Sequence, residues 1–403
     1  GGVYFDDAHV IQNNLHIRLE GLDWPSLFAA ANSFGAGGRE ISMLSFALNY
    51  YFFGEYIFSF KTVNLALHLL VGLLLYLVGA SLITALRGRQ GPGASGDASG
   101  QRFIPLAAAA FWIAAPINLG PVLYISQRMT ILASLFTVLG ILLYLRIRLS
   151  GLRVIPKVSL LAVSTALCTY LAYYSKENGI LLVGYLALIE LVVLQDIDRW
   201  VMARLRASVI AKGILVAAGI SVCWVAWDMA LPFIERQFAA YDGRDFTLGE
   251  RVLTQFRVIN FYISQVLVPN NAELSMWHDD FPLSRGLFKP FTTLIAIVII
   301  VGLLLLALFS IRRNRLISFS IFWFFLGHSL ESTFIPLEMV HEHRNYLPSW
   351  GILLLLSYVV LSSRLIRPRM GLVILGFFWV FNVGVLHARA EIWSNDIIKA
   401  GHE

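Results

Sequence analysis

Charge is scarce in this chain. Of its 403 residues only 14% are Asp, Glu, Lys or Arg, whereas soluble domains carry about 25%. That shortage excludes an ordinary water-soluble globule. Cysteine is nearly absent. Cys168 and Cys223 both fall inside apolar runs and read as small buried hydrophobes, which excludes a disulfide framework and a cysteine metal site. The net charge is a modest +6, and no nucleic-acid partner is expected.

Apolar residues are abundant instead, at 58% of the chain. A membrane span needs roughly 20 mostly apolar residues. Ten spans are predicted, over 62–86, 103–116, 129–147, 157–173, 178–195, 211–230, 291–310, 317–336, 347–364 and 370–388. The second is short and is expected to extend or to lie obliquely. The predicted fold is therefore an all-α polytopic membrane protein.

Lys and Arg in the connections set the orientation. One basic connection carries Arg87, Arg89 and Arg102, and the next of the same parity carries Arg146, Arg148, Arg153 and Lys157. Arg199, Arg204, Arg206 and Lys212 follow, then Arg312, Arg313 and Arg315, then Arg364, Arg367 and Arg369. Every second connection is basic, and these five hold only three acids, Asp97, Asp196 and Asp198. They read as cytoplasmic. The others read as external, which in a bacterial inner membrane is the periplasmic side. The layout is an external segment 1–61, spans within 62–230, a large external loop 231–290, spans within 291–388 and an external tail 389–403. The chain opens in a polar segment without a signal peptide or initiator Met, so a further span is expected upstream of Gly1.

The stretch "RGRQGPGASGDASGQR" reads as a flexible linker without chemistry. The external loops, rich in Asp, His, Arg, Tyr and Trp, are where function is expected. In the large loop, Val252, Phe256, Ile259, Ile263 and Val266 recur at helical spacing, with Arg251, Gln255 and Arg257 off that stripe. This pattern suits a helix on the membrane surface or one packed on the protein's own core.

Several external residues could do chemistry. Asp6 and Asp7 are adjacent, so they need not share a role. One could act as general base on a hydroxyl while the other orients a group or holds a divalent metal. The plain alternative is a solvated turn with Asp7 capping a helix at "AHVIQ". Arg128 enters a span from outside and either anchors it or contacts a phosphate. Lys176 and Glu177, in a very tight turn between spans, either stabilise that turn or place Lys176 opposite a lipid phosphate. His341 and His343 are weak as a metal pair, and His343 with Arg344 could instead bind phosphate. His328 and Glu331 lie three apart on one helical face and are functional candidates. Asn64 and His68 are expected to hydrogen bond between helices. Cations and acids thus gather on one membrane face, as a substrate with a buried tail and a surface phosphate would require.

The ordered set "FDD", "REISMLSFALNYYFFG", "VNLALHLL", "YSKENGIL", "EHRNYLPS" and "RAEIW" resembles the membrane part of the transmembrane-and-tetratricopeptide-repeat O-mannosyltransferases and their bacterial relatives. These have the C class of glycosyltransferase fold. The resemblance runs over nearly the whole chain. It implies an enzyme that uses a polyprenyl-phosphate-linked sugar, with Asp6 or Asp7 activating the acceptor. Lys176 and Glu177 match the family's Ser-Lys-Glu turn, and Arg344 and Tyr346 its Arg and Tyr before Leu-Pro. Arg389 and Trp393 match the Arg and Trp ahead of its helical repeats, which are expected beyond residue 403. The chain departs from the family at Arg39-Glu40-Ile41, at Lys61 and in "YISQRMTIL".

The expected function is sugar transfer from a polyprenyl-phosphate donor to a hydroxyl of an exported protein at the periplasmic face. Arg344, Lys176, Arg128, Arg257 and His343 are the expected phosphate contacts. Glu177, Tyr346, Glu331 and His328 are the expected supporting residues. A metal is not demanded, and whether configuration at the sugar is inverted or retained does not follow. The alternatives are a transporter of a lipid-linked sugar, for which no internal repeat is seen, and a noncatalytic membrane subunit that docks partners through its tail.

Overall fold

The structure, a computed structural model, describes residues 6–35, 38–87, 98–195, 235–275, 278, 280–363 and 365–394. The described residues are helical throughout their regular structure, with no strand among them. Two helices precede the first span, α1 (Trp24–Ala31) and α2 (Glu40–Phe53). The bundle follows as α3 (Ile57–Arg87), α4 (Ile104–Ile113), α5 (Arg128–Arg148), α6 (Val154–Tyr173) and α7 (Leu181–Leu188). After α8 (Leu248–Leu267) come α9 (Thr292–Ser310), α10 (Arg315–His328), α11 (Ser349–Leu361) and α12 (Pro368–Ser394).

Six helices are long and apolar enough to cross a membrane, and a bent pair makes up to seven. The ten predicted spans are therefore not all recovered as long helices. The span predicted at 211–230 lies outside the described residues. The span predicted at 317–336 is helical only to His328, and the one at 347–364 only over Ser349–Leu361, so α10 and α11 are shorter apolar helices. The predicted span 103–116 is one arm of the bent pair, Ile104–Ile113 with Pro116–Leu123, which turns by 53°. Pro116 explains the bend. A proline disfavours helical backbone in the residue before it, and Ala115 is extended, with ψ 121°.

α3 has 31 residues, which at 1.5 Å per residue is about 46 Å, longer than a roughly 30 Å hydrocarbon layer. It packs on α4 and α5, and α5 also packs on α6. Glycine permits the close approach of α3 to α4: a Cβ at Gly72 would come within 2.5 Å of the Ile113 side chain. The main core runs through these helices, with Trp112, Trp323 and Trp350 fully enclosed. A second core lies under the N-terminal segment, joining Val10, Ile17, Met43, Phe46 and Phe60 to Ile125 and Met129. It fixes the acidic stretch against the start of α5.

α8 is the predicted amphipathic helix, started by a Thr247–Glu250 capping box. Its buried face is the polar one. Arg251, Thr254, Gln255 and Gln265 are buried with Val258 and Tyr262; of the predicted apolar stripe only Val266 is buried, Val252 is exposed and Phe256, Ile259 and Ile263 are half-buried. The inversion has a purpose. Arg251 donates to the carbonyls of Glu331 and Thr333, each at 3.0 Å, and of Leu337. Gln255 donates to the Met339 carbonyl at 2.9 Å. The Tyr262 hydroxyl accepts from His341 N at 2.8 Å and donates to its carbonyl at 3.0 Å. α8 is a polar strut for the loop 329–348.

Candidate functional site

The acidic pair divides. The Asp7 carboxylate is wholly buried and accepts from the backbone N–H of Ser126 at 2.6 Å and of Ile125 at 3.3 Å. It caps the turn that leads into α5, where a helix start favours negative charge. It makes no capping bond to the "AHVIQ" turn, Ala8–Gln12. Asp6 is exposed, and its N–H donates to the Tyr124 hydroxyl at 3.0 Å. The divergence agrees with separate roles for the two carboxylates, which as neighbours in the chain need not share one. Among the described residues no group of three or more His, Cys, Asp or Glu side chains could hold a metal ion.

Asp6 faces a cavity of about 660 Å³, within the usual range for small-molecule sites. Lys176, Glu177, Glu331, His343 and Arg344 line the same cavity. Six of the predicted site residues, far apart in sequence, therefore meet.

The tight turn after α6 delivers Lys176. Ser42 donates its hydroxyl to the Ser175 carbonyl at 2.8 Å, and the N–H of Ile41 donates to the Tyr174 carbonyl at 3.0 Å, so the start of α2 pins the turn. Gly179 closes it: a Cβ there would sit 2.2 Å from the Ala172 carbonyl carbon. The Lys176 ammonium donates to the Thr130 hydroxyl at 3.1 Å and lies 3.5 Å from Glu331. Arg344 Nε is also 3.5 Å from Glu331, and Arg344 Nη1 donates to the Glu338 carbonyl at 2.8 Å. Glu331 is thus a bridge between two cations. Burial favours its neutral form, but Lys176 and Arg344 outweigh that and hold its carboxyl below the ordinary range. Burial lowers the pKa of the Lys176 ammonium, opposed by Glu331.

Two cavity residues were not singled out from the sequence as phosphate-side groups. Arg39 grips Glu177 with two parallel hydrogen bonds of 3.1 and 3.2 Å and lies over the Phe34 ring. Glu338 bridges Arg244 at 3.3 Å and His341 at 3.9 Å. The only sequence sign of Arg39 was its place among the departures from the family pattern.

His341 and His343 are held in the neutral form. Burial, then Arg344, pushes His341 down to about 4. Burial, then Lys176, His341 and Arg344, holds His343 well below the ordinary imidazole value. Near neutral pH His343 can offer a hydrogen bond but not a charge to a phosphate.

The structure does not bring the other predicted residues to the cavity. Arg128 is fully buried. It donates to Asn64 and Asn49 side chains at 2.7 Å each and to the carbonyls of Ser45 at 3.1 Å and Phe60 at 3.0 Å. That accounts for its fork, and its expected phosphate role is corrected to an internal one. Arg257 donates to the Pro282 carbonyl and lies over the Phe281 ring, outside the cavity lining. Tyr346 is in the core, its hydroxyl 2.8 Å from His68 Nδ1. His68 and Asn64 join separate segments as predicted, Asn64 through Arg128 and the Val122 carbonyl. His328 is buried, 3.1 Å from Ser332 Oγ and 3.2 Å from Asn345 Oδ1, beneath the Tyr262 ring. It supports the loop rather than the cavity.

A second cavity, of about 350 Å³, shares Asp6, Gln127, Glu338, His341 and His343 with the first. Its remaining wall includes Tyr124, Glu342 and Trp393. Arg389 from α12 pairs with Glu342 and donates to the Pro116 carbonyl at 2.8 Å, which ties that wall to the bend after α4. Comparison of the chain with known protein families, curated proteins and solved structures finds no match.

Proposed function

We propose that the protein is a glycosyltransferase that moves a sugar from a polyprenyl-phosphate donor to a hydroxyl of an exported acceptor, at the periplasmic face of a bacterial inner membrane. The observation that carries this reading is the position of Asp6. It lies on the wall common to two cavities, one holding both cations and carboxylates and one with Tyr124 and Trp393 in its wall.

In this reading the larger cavity receives the donor. Its apolar margin includes Tyr173 at the end of α6 and Ile180 just before α7, both exposed. Few α6 residues are buried in protein, which suits a prenyl tail arriving from lipid. The cavity holds three cations, Arg39, Lys176 and Arg344, and four carboxylates, Asp6, Glu177, Glu331 and Glu338. A second anion fits only where a cation retains bonding capacity. Lys176 and Arg344 do, since their 3.5 Å contacts to Glu331 are longer than the roughly 2.7–2.9 Å of a tight charge-assisted bond. Arg39 is already committed to Glu177. Lys176 and Arg344 are therefore the phosphate contacts.

The acceptor hydroxyl comes from the smaller cavity. Asp6 takes its proton, the oxygen bonds to the anomeric carbon, and the bond from that carbon to the phosphate oxygen breaks. The electron pair stays on the polyprenyl phosphate, whose added charge Lys176 and Arg344 stabilise. Proton removal of this kind is worth about 10²–10⁴-fold.

Single Asp6→Asn and Asp7→Asn variants, assayed for glycosylated exported proteins by mass spectrometry of cells, test the reading. Asp6→Asn is expected to abolish product at normal protein level. Full transfer by folded Asp6→Asn protein sinks it.

A further inference from the structure

At the other end of the bundle a pocket of about 270 Å³ is lined by Arg87, Arg312, Arg313 and Arg315 with Asn314 and Tyr358. No carboxylate lines it among the described residues. Arginines elsewhere include several that are paired. Arg18, Arg39, Arg148, Arg244, Arg344 and Arg389 each lie within 4.0 Å of a carboxylate. Arg312, Arg313 and Arg315 have no such partner among the described residues.

The walls of the pocket are fixed. Asn314 caps α10 and donates its amide to the Tyr358 hydroxyl at 2.6 Å. Arg313 lies over the Phe309 ring, 4.0 Å from its centroid, and Arg315 donates to the Val193 carbonyl at 3.2 Å. Arg87 approaches Gln101 at 3.4 Å. Guanidinium groups held together repel unless an anion joins them, and their planar forks match phosphate oxygens. The first turn of α10 adds backbone N–H groups of the same preference.

We propose that this pocket binds a phosphate ester, as an anionic phospholipid headgroup or a free phosphate would supply. It is a site separate from the two cavities, and it stands whether or not the protein transfers sugar. Basic pockets between helix ends at a membrane surface are suited to such headgroups. The bland alternative is that these arginines only orient the chain in the membrane, and such arginines would not retain a particular lipid.

The test uses the purified full chain and an Arg312→Gln/Arg313→Gln/Arg315→Gln variant. Retention of phosphatidylglycerol and of phosphatidylcholine is read by native mass spectrometry, and thermal stabilisation by inorganic phosphate is read separately. The wild type is expected to keep one phosphatidylglycerol in preference to phosphatidylcholine, with affinity falling on the order of tenfold or more in the variant. Stabilisation by inorganic phosphate, lost in the variant, identifies free phosphate as the source instead and also supports the site. Equal behaviour of wild type and variant toward both probes overturns it. Should the triple variant fail to fold, Arg312→Gln replaces it, since Arg312 is exposed and makes no side-chain hydrogen bond among the described residues. An unchanged lipid and phosphate response in that variant overturns the proposal equally.

Discussion

Asp6 and Asp7 are neighbours in the chain and opposites in the fold: Asp6 lies exposed beside both cavities, while Asp7 is sealed under the Ser126 and Ile125 amides. Stability and activity are expected to separate at this pair. Asp7→Ala strands two backbone donors and is expected to cost about 1.5–3 kcal/mol, the range for a charged hydrogen-bond partner. Asp6→Asn is expected to change stability by no more than about 0.5 kcal/mol while removing transfer. Thermal unfolding of the purified variants beside a transfer assay measures both. A larger stability loss at Asp6 than at Asp7 contradicts the assignment.

Glu331 gives the site an acid limit. Its folded pKa is depressed, so its ionised form contributes stability that is present above the ordinary value of 4.5 and lost as pH falls below it. Glu331→Gln lacks that titration. The stability gap between wild type and Glu331→Gln is expected to be widest near neutral pH and to shrink below about pH 4.5. Chemical-denaturation midpoints across pH 3–7 check it, and a constant gap refutes the bridging role.

His341 acts at higher pH. Its pKa is pushed from 6.5 down to about 4 in the folded protein. Between those values the unfolded chain binds a proton that the folded one refuses, so stability falls as pH is lowered from 6.5 toward 4. His341→Gln is expected to make that fall shallower, with His343 still contributing to it. The same titration series reads it, and an unchanged slope between pH 6.5 and 4 rules it out.

The turn that carries Lys176 depends on a missing side chain. At Gly179 a Cβ would meet backbone atoms of Ala172 and Tyr173 at 2.2–2.6 Å, and backbone cannot swing aside as a side-chain tip can. Gly179→Ala is expected to shift the turn, lower the unfolding temperature and reduce transfer together. Gly249, where nothing lies within 4 Å of an added Cβ, is the control, and Gly249→Ala is expected to do neither.

The sequence made some of this legible and left the rest hidden, for physical reasons. The tight turn at 174–177 followed from two apolar runs with almost nothing between them. The alternation of basic connections gave Asp6, Lys176, His343 and Arg344 one expected face, and these four do line one cavity, whereas Glu331 was read inside the preceding span. Burial was harder to read. The apolar stripe of α8 gave no sign that its polar face would be the enclosed one, since the carbonyls it satisfies lie about 80 residues away, as in Arg251 to Glu331. The overlong span at 317–336 arose because Phe334 and Ile335 are apolar without being helical. Ile335 and Leu337 instead line the cavity.

Arg128 is where the reading of the sequence and the structure diverge most, and it gives the sharpest separation of support from chemistry. From the sequence its place at the mouth of a span made it a phosphate candidate, because its partners Asn49 and Asn64 sit in other helices and no local pattern announces them. In the fold its guanidinium makes four hydrogen bonds, two to side-chain amides and two to carbonyls. Arg128→Met would leave those acceptors unpaired in a buried place, each at a cost of about 1–3 kcal/mol. A loss on the order of 3 kcal/mol or more is expected, since relaxation recovers only part of the sum. Arg128→Lys keeps the charge but not the planar fork, and is expected to fall between the two. Transfer measured per folded molecule should leave the donor KM close to wild type in Arg128→Lys, whereas Arg344→Lys should raise it. If Arg128→Lys raises the donor KM as much as Arg344→Lys does, without loss of stability, Arg128 belongs to the phosphate site after all.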